Sequence, residues 1–105
     1  MKKFNGNEDF EQAVQSGETF FLLKHSSTCS ISEGAYEEYE KFSKENDHTY
    51  YLVVQEDRPL SNYISEKFQI RHESPQALFF KNGEVAWHTS HRKITYDSLK
   101  NAAAE

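Results

Sequence analysis

The stretch TFFLLKHSSTCSISEGAYEEYEKF, residues 19–42, changes its hydrophobic period partway and thereby decides which fold class the chain can adopt. Residues 19–25 form a short apolar run that ends in polar residues, the pattern of a strand buried on both faces. From Ile31 the apolar positions fall at Ile31, Ala35, Tyr39 and Phe42, with Glu33, Glu37, Glu38, Glu40 and Lys41 on the other faces. This spacing predicts an amphipathic helix whose stripe faces a core. Between the two elements lies the only cysteine of the chain, Cys29.

Upstream, Asn7 is placed to cap a helix running to about Gln15, with Gly17 marking its end. Downstream, Asn46 and Asp47 break the helical pattern before YYLVVQ, residues 50–55, a second buried strand. Pro59 suits the first turn of a helix to about Phe68, where its missing N–H would be unpaired anyway. In QALFFKNGEVAWH, Asn82-Gly83 separates two apolar segments, a strong hairpin signal. Thr95 then caps a final helix over residues 96–103. Strands alternating with helices favour parallel pairing through crossovers, and the hairpin adds an antiparallel pair. The expected architecture is an α/β fold: one domain over residues 1–105, with a four-stranded mixed sheet and helices on both faces. A ferredoxin-like sheet would need β-α-β-β-α-β, which places its hairpin elsewhere.

Composition narrows the function. Twelve basic against seventeen acidic residues give a net charge of −5, spread along the chain. Nucleic acid is thereby disfavoured as a partner, because phosphate binding needs a basic face. No window approaches the ~18 apolar residues of a membrane helix. The N-terminal MKKFNGNEDF lacks the apolar run of a signal peptide and one cysteine forms no internal disulfide, so a cytoplasmic location is expected. Phe20, Phe21, Tyr50, Tyr51, Phe79, Phe80 and Trp87 fall in the proposed strands and read as core. His88 and His91, three residues apart on a strand, would point to opposite faces, and no ligand set is completed; neither a metal nor an organic cofactor is expected. Oligomeric state is not legible.

Cys29 stands after the carboxyl end of a strand and just before a helix, where ligand sites gather in open α/β sheets. A helix N-terminus presents free N–H groups and a partial positive charge, which favour a thiolate. The dipole alone is worth ~0.3–1 kcal/mol, so hydrogen bonds from the Ile31 and Ser32 N–H groups, or from the Thr28 or Ser30 hydroxyl, are the expected supplement. A merely structural cysteine would sit more naturally within TFFLLKH or YYLVV. Pro75 enters a β-rich run, which a proline does by beginning the strand or by taking the cis form in a tight turn. His25 and His72 are candidate neighbours of the thiol.

The segment FQIRHESPQALFFKNGEVA, residues 68–86, resembles the thioredoxin stretch in which an Ile-Arg pair, a loop, a cis-proline, an apolar strand, a Lys-Asn-Gly-Glu turn and a second strand follow one another. With Cys29 after the first core strand, the resemblance runs from about Thr19 to the C-terminus, and the loop before Pro75 is one residue longer. It implies a thioredoxin-like fold and a cis Ser74-Pro75 bond facing Cys29. Where a dithiol enzyme has C-x-x-C, this chain has Cys29-Ser30-Ile31-Ser32, with Ser32 in the place of the resolving thiol.

The Thr-Cys-x-Ile-Ser pattern within residues 24–32 is similar to that of the monothiol bacilliredoxins, in which a proline commonly stands where this chain has Ser30. That resemblance implies a monothiol thiol-disulfide oxidoreductase of Firmicutes. Its partners would be S-thiolated client proteins and the low-molecular-weight thiol bacillithiol, which it removes from their mixed disulfides. Cys29 would be catalytic, and Thr28, Ser30, Ile31, Ser32, Ser74 and Pro75 would meet the substrate, Ser74 through its backbone. The alternatives are a thioredoxin-like binding module with an incidental cysteine and, more remotely, a thiol peroxidase.

Overall fold

The apolar runs of the sequence become the centre of a sheet because each is long enough to pair on both sides and bury both faces. The computed structural model describes residues 1–105. In chain order the elements are β1 (Lys2–Lys3), α1 (Asn7–Gln15), β2 (Phe20–His25), α2 (Ser30–Ser43), β3 (Thr49–Val53), α3 (Arg58–Phe68), β4 (Gln76–Lys81), β5 (Glu84–Ser90), a 3₁₀ turn (His91–Lys93) and α4 (Tyr96–Ala104). The sheet order is β1-β3-β2-β4-β5. β2 pairs parallel with β3 and antiparallel with β4, and β5 closes the far edge against β4. No helix is long and apolar enough to cross a membrane.

The sheet has five strands where four were expected. The additional strand, β1, contributes two lysines paired parallel with Tyr50 and Tyr51 at the edge. So short and charged a segment has no hydrophobic period to read, and both properties keep an exposed edge from recruiting other chains.

Alternation along β2 sorts the core into two layers. Phe20 and Leu22, with Leu52, Leu78 and Phe80, face Phe10 and Ala13 of α1 and Leu60 and Ile64 of α3. Phe21 and Leu23, with Ala77 and Phe79, face Ala35, Tyr39 and Phe42 of α2 and Leu99 and Ala102 of α4. The β2–β4 register sets Phe20 opposite Phe80 and Phe21 opposite Phe79, and the rings stack at 4.7 Å and 4.1 Å. These pairs lock the register, since a one-residue slip would turn each ring to the wrong layer. By the same alternation Lys24 falls on the α1/α3 side and His25 on the α2/α4 side.

Several boundaries differ from the sequence reading. Asn7 opens α1 instead of capping it; the cap position is Gly6, whose N–H donates to Asp57 Oδ2 at 2.7 Å. β3 ends at Val53, two residues before the expected Gln55, because the chain turns there. His91 lies in the 3₁₀ turn, not on a strand, so the opposite-face argument for His88 and His91 does not apply. Thr95 caps α4 as read: its Oγ1 accepts from the Ser98 N–H, and Ser98 Oγ accepts from the Thr95 N–H, both at 3.0 Å.

The β4–β5 hairpin turns on Asn82 and Gly83, both left-handed at φ 53° and 78°. A tight two-residue turn needs positive φ at both positions to match the twist of the strands. A Cβ built on Gly83 would meet only ordinary contacts, the nearest being Val14 Cγ1 at 3.6 Å. Gly83→Ala should therefore lower the unfolding free energy by about 1 kcal/mol through backbone conformation alone, measured by urea denaturation with an unchanged m-value.

Candidate active site

The site begins where β2 runs out of partners. After His25 the backbone leaves the sheet through Ser26, Ser27 and Thr28 and enters α2 with Cys29 as the cap residue, extended at φ −114° and ψ 127°. The Cys29 carbonyl accepts from the Glu33 N–H at 3.2 Å, while its side chain makes no cap hydrogen bond and is partly exposed.

The loop in front of Cys29 is held from two directions. Ser32 is fully buried, and its Oγ accepts from the Ser26 N–H at 2.8 Å and lies 3.3 Å from His25 Nδ1. Gln55, in the turn after β3, accepts from the Ser27 N–H at 3.1 Å through Oε1. Its Nε2 donates to Ser26 Oγ at 2.7 Å and to Thr28 Oγ1 at 3.2 Å. The Ser32 hydroxyl and Thr28 Oγ1 thus both take part in shaping the loop before Cys29. Ser30 is exposed and Ile31 half-buried on the first turn of α2. The His25 ring packs 4.8 Å from that of Tyr36, and burial lowers its pKa, with Glu33 opposing.

The second wall comes from β4. Because β4 runs antiparallel to β2, with Gln76 opposite Lys24, the residues just before β4 lie at the end of the sheet from which the Cys29 loop emerges. The Ser74-Pro75 bond is cis, as read, and Pro75 is buried. Its carbonyl accepts from the His91 N–H at 3.0 Å, which ties the 3₁₀ turn to the same corner. The Ser74 hydroxyl is buried there without a partner. Strand register thus brings the segments around Cys29 and Pro75, 46 residues apart in sequence, to one end of the sheet.

The family model described as monothiol bacilliredoxin BrxC matches residues 2–99. The chain belongs to the monothiol bacilliredoxin family. It is accordingly a thiol-disulfide oxidoreductase. Among solved structures, it is similar to a thioredoxin-fold protein proposed to be an oxidoreductase, with 45% identity and a TM-score of 0.91 over 96% of this chain and 91% of that one. The thioredoxin of Fasciola hepatica matches at 15% identity and a TM-score of 0.79, over 99% of this chain and 97% of that one. The thioredoxin of Malassezia sympodialis matches at 18% identity and a TM-score of 0.75, over 99% and 88%. The last two show the thioredoxin-like fold alone.

In this bacilliredoxin a charged residue lies beneath the site that the sequence reading treated as the end of a strand. Lys24 is fully buried, and its Nζ donates to the Ser61 carbonyl at 3.0 Å and to Ser65 Oγ at 3.0 Å, with His72 Nδ1 at 3.3 Å. The three partners match the three N–H donors of an ammonium. His72 thus belongs to the face opposite α2, where Ser61 Oγ also reaches its Nδ1 at 3.1 Å; the expectation that it might flank the thiol gives way to a contact with Lys24. Burial, then the charges of Lys24 and Arg58, lower its pKa. Lys24 therefore fastens β2, which leads to Cys29, to the loop that leads to Pro75. A lysine inside a run buried on both faces was the available signal, since such an ammonium must find acceptors.

Burial pushes the Lys24 pKa down from 10.5 to about 8. The unfolded chain therefore takes up this proton first as pH falls, and the stability present above the unfolded pKa is lost as pH falls through about 8. Wild type should gain about 2 kcal/mol of unfolding free energy between about pH 7.5 and 9.5, and Lys24→Met should remove most of that slope. Equilibrium denaturation at a series of pH values measures both.

Proposed function

We propose that Cys29 is the nucleophile of an enzyme that removes bacillithiol from mixed disulfides on client proteins. The observation that supports this monothiol cycle is the environment of Ser32. At the position of a resolving thiol stands a buried hydroxyl whose oxygen is occupied by the Ser26 N–H and lies beside His25. A hydroxyl there does not attack sulfur. Cys29, one turn earlier and partly exposed, is the only thiol of the chain.

The Cys29 thiolate attacks the small-molecule sulfur of the mixed disulfide. One S–S bond breaks and another forms: the client leaves as a thiolate that takes a proton from solvent, and Cys29 is left joined to the small thiol. A second, external thiolate then attacks the small-thiol sulfur of this adduct, which releases Cys29 as a thiolate and carries the small thiol away as a disulfide with the external thiol. No metal or organic cofactor enters the exchange. Thiolate attack is open because the Ser26–Thr28 loop, fixed by Ser32 and Gln55, leaves the cap position free of side-chain hydrogen bonds. The client's extended segment lies along Ser74 and Pro75, while Ser30 and Ile31 border the small thiol. The cytoplasm, where mixed disulfides of protein thiols arise, is the compartment of this cycle.

A client protein carrying bacillithiol on one cysteine should recover its free thiol with the wild-type enzyme and an external thiol. Cys29→Ser should lower the release rate by at least about 100-fold, while its unfolding free energy stays within about 0.5 kcal/mol of wild type, as for a partly exposed side chain. Release at the wild-type rate by Cys29→Ser would refute the assignment. So would equal release of every small thiol offered on the same client, as far as bacillithiol is concerned.

A further inference from the structure

Arg92 and Lys93 follow His91 in the turn after β5, and all three side chains are exposed. The ion pairs of the chain join Lys3 to Glu56, Lys41 to Glu38, His48 to Glu18 and Lys67 to Glu11, so the two fixed cations of this turn are unpaired. The turn is also held in position: His91 takes a left-handed φ of 54°, and its N–H donates to the carbonyl of Pro75.

Two adjoining grooves open beside it. One, of about 330 Å³, is lined by Ile31, Ser90, His91, Arg92 and Lys93 and by no acidic residue. The other, of about 470 Å³, continues past Ser30 and Gly34 along α2 and reaches Glu37 and Glu38 at its far side. Glu38 is already engaged by the Tyr96 N–H at 2.9 Å and Lys41 Nζ at 3.1 Å, and Glu37 faces solvent. The cationic end is therefore the end that meets Ser30 and Ile31, the two residues after Cys29.

We infer that the groove between the first turn of α2 and His91–Lys93 is a subsite for the carboxylates of a small anionic thiol, with Arg92 and Lys93 as its recognition groups. The inference rests on Cys29 being the attacking sulfur of the proposed cycle, and it assigns the substrate's charge to particular residues. The size of the groove suits a molecule of a few hundred Å³ and not a folded partner, and its lining by Ser30 and Ile31, the residues that follow Cys29, suits the half of the mixed disulfide that remains on the enzyme. Two unpaired cations in a wet groove act by direct attraction that salt screens, which gives the subsite an ionic-strength signature.

Symmetric low-molecular-weight disulfides test this without a client protein. Cys29 thiolate attacks the disulfide of 3-mercaptopropionate (anionic), 2-mercaptoethanol (neutral) or cysteamine (cationic), forming the Cys29 adduct and releasing one thiolate, and intact mass follows the rate. For each disulfide the ratio of the rate in the Arg92→Glu/Lys93→Glu double variant to that in wild type cancels intrinsic reactivity. At low salt this ratio should fall about 5–10-fold for the anionic disulfide, stay near one for the neutral one and rise above one for the cationic one, and the differences should shrink at about 0.5 M salt. Equal ratios for all three disulfides, with adducts forming normally, would overturn the subsite and leave the monothiol cycle standing. Absence of adduct with every disulfide in wild type would overturn the cycle and the subsite with it.

Discussion

Burial of β2 on both faces, with a paired strand on either side, is the constraint from which the rest of this structure follows. It commits Phe20 and Leu22 to one layer and Phe21 and Leu23 to the other, and it decides the surroundings of the two polar residues at the end of the strand. Lys24 enters the α1/α3 layer and has to gather three acceptors from α3 and the following loop. His25 enters the opposite layer and meets Ser32 and Tyr36 of α2. Those contacts fasten the two segments that flank the site, the start of α2 and the approach to Pro75. The loop that leads to Cys29 is thus an end effect of a central strand, positioned by what that strand must do to stay buried.

Features governed by local chemistry were legible in the sequence. Asn82-Gly83 specifies a hairpin because both residues tolerate positive φ, Thr95 specifies a helix start through its own hydroxyl, and Pro75 marks the entry to β4. The cysteine's address followed from the change of period around it. What escaped were contacts whose partners lie far along the chain. Gln55 reaches back 28 residues to Ser27, and Lys24 reaches forward 37 to Ser61 and 48 to His72, distances over which no periodicity carries information. β1 escaped for the opposite reason, being two charged residues long. Gly6 took the cap expected of Asn7 because Asp57, from another part of the chain, supplies the acceptor for its N–H.

Ser32 shows how a single position can separate two kinds of redox cycle. In a dithiol enzyme the residue three after the nucleophile clears the mixed disulfide from within, at the high effective concentration of a group on the same helix. Here that residue is a hydroxyl held inside the protein as an acceptor for the Ser26 N–H. Ser32 braces the loop that precedes Cys29, and in the proposed monothiol cycle the same residue leaves the chain without an internal resolver, so loop order and the proposed dependence on an outside thiol have one cause.

The lifetime of the Cys29 adduct tests this most directly. Wild-type protein loaded with one small thiol, freed of excess reagent and followed by intact mass, should keep the added mass for hours in thiol-free buffer and lose it at a rate proportional to the concentration of thiol then supplied. Rapid first-order loss in the absence of added thiol, at a rate independent of protein concentration, would show an internal resolving group and contradict the account.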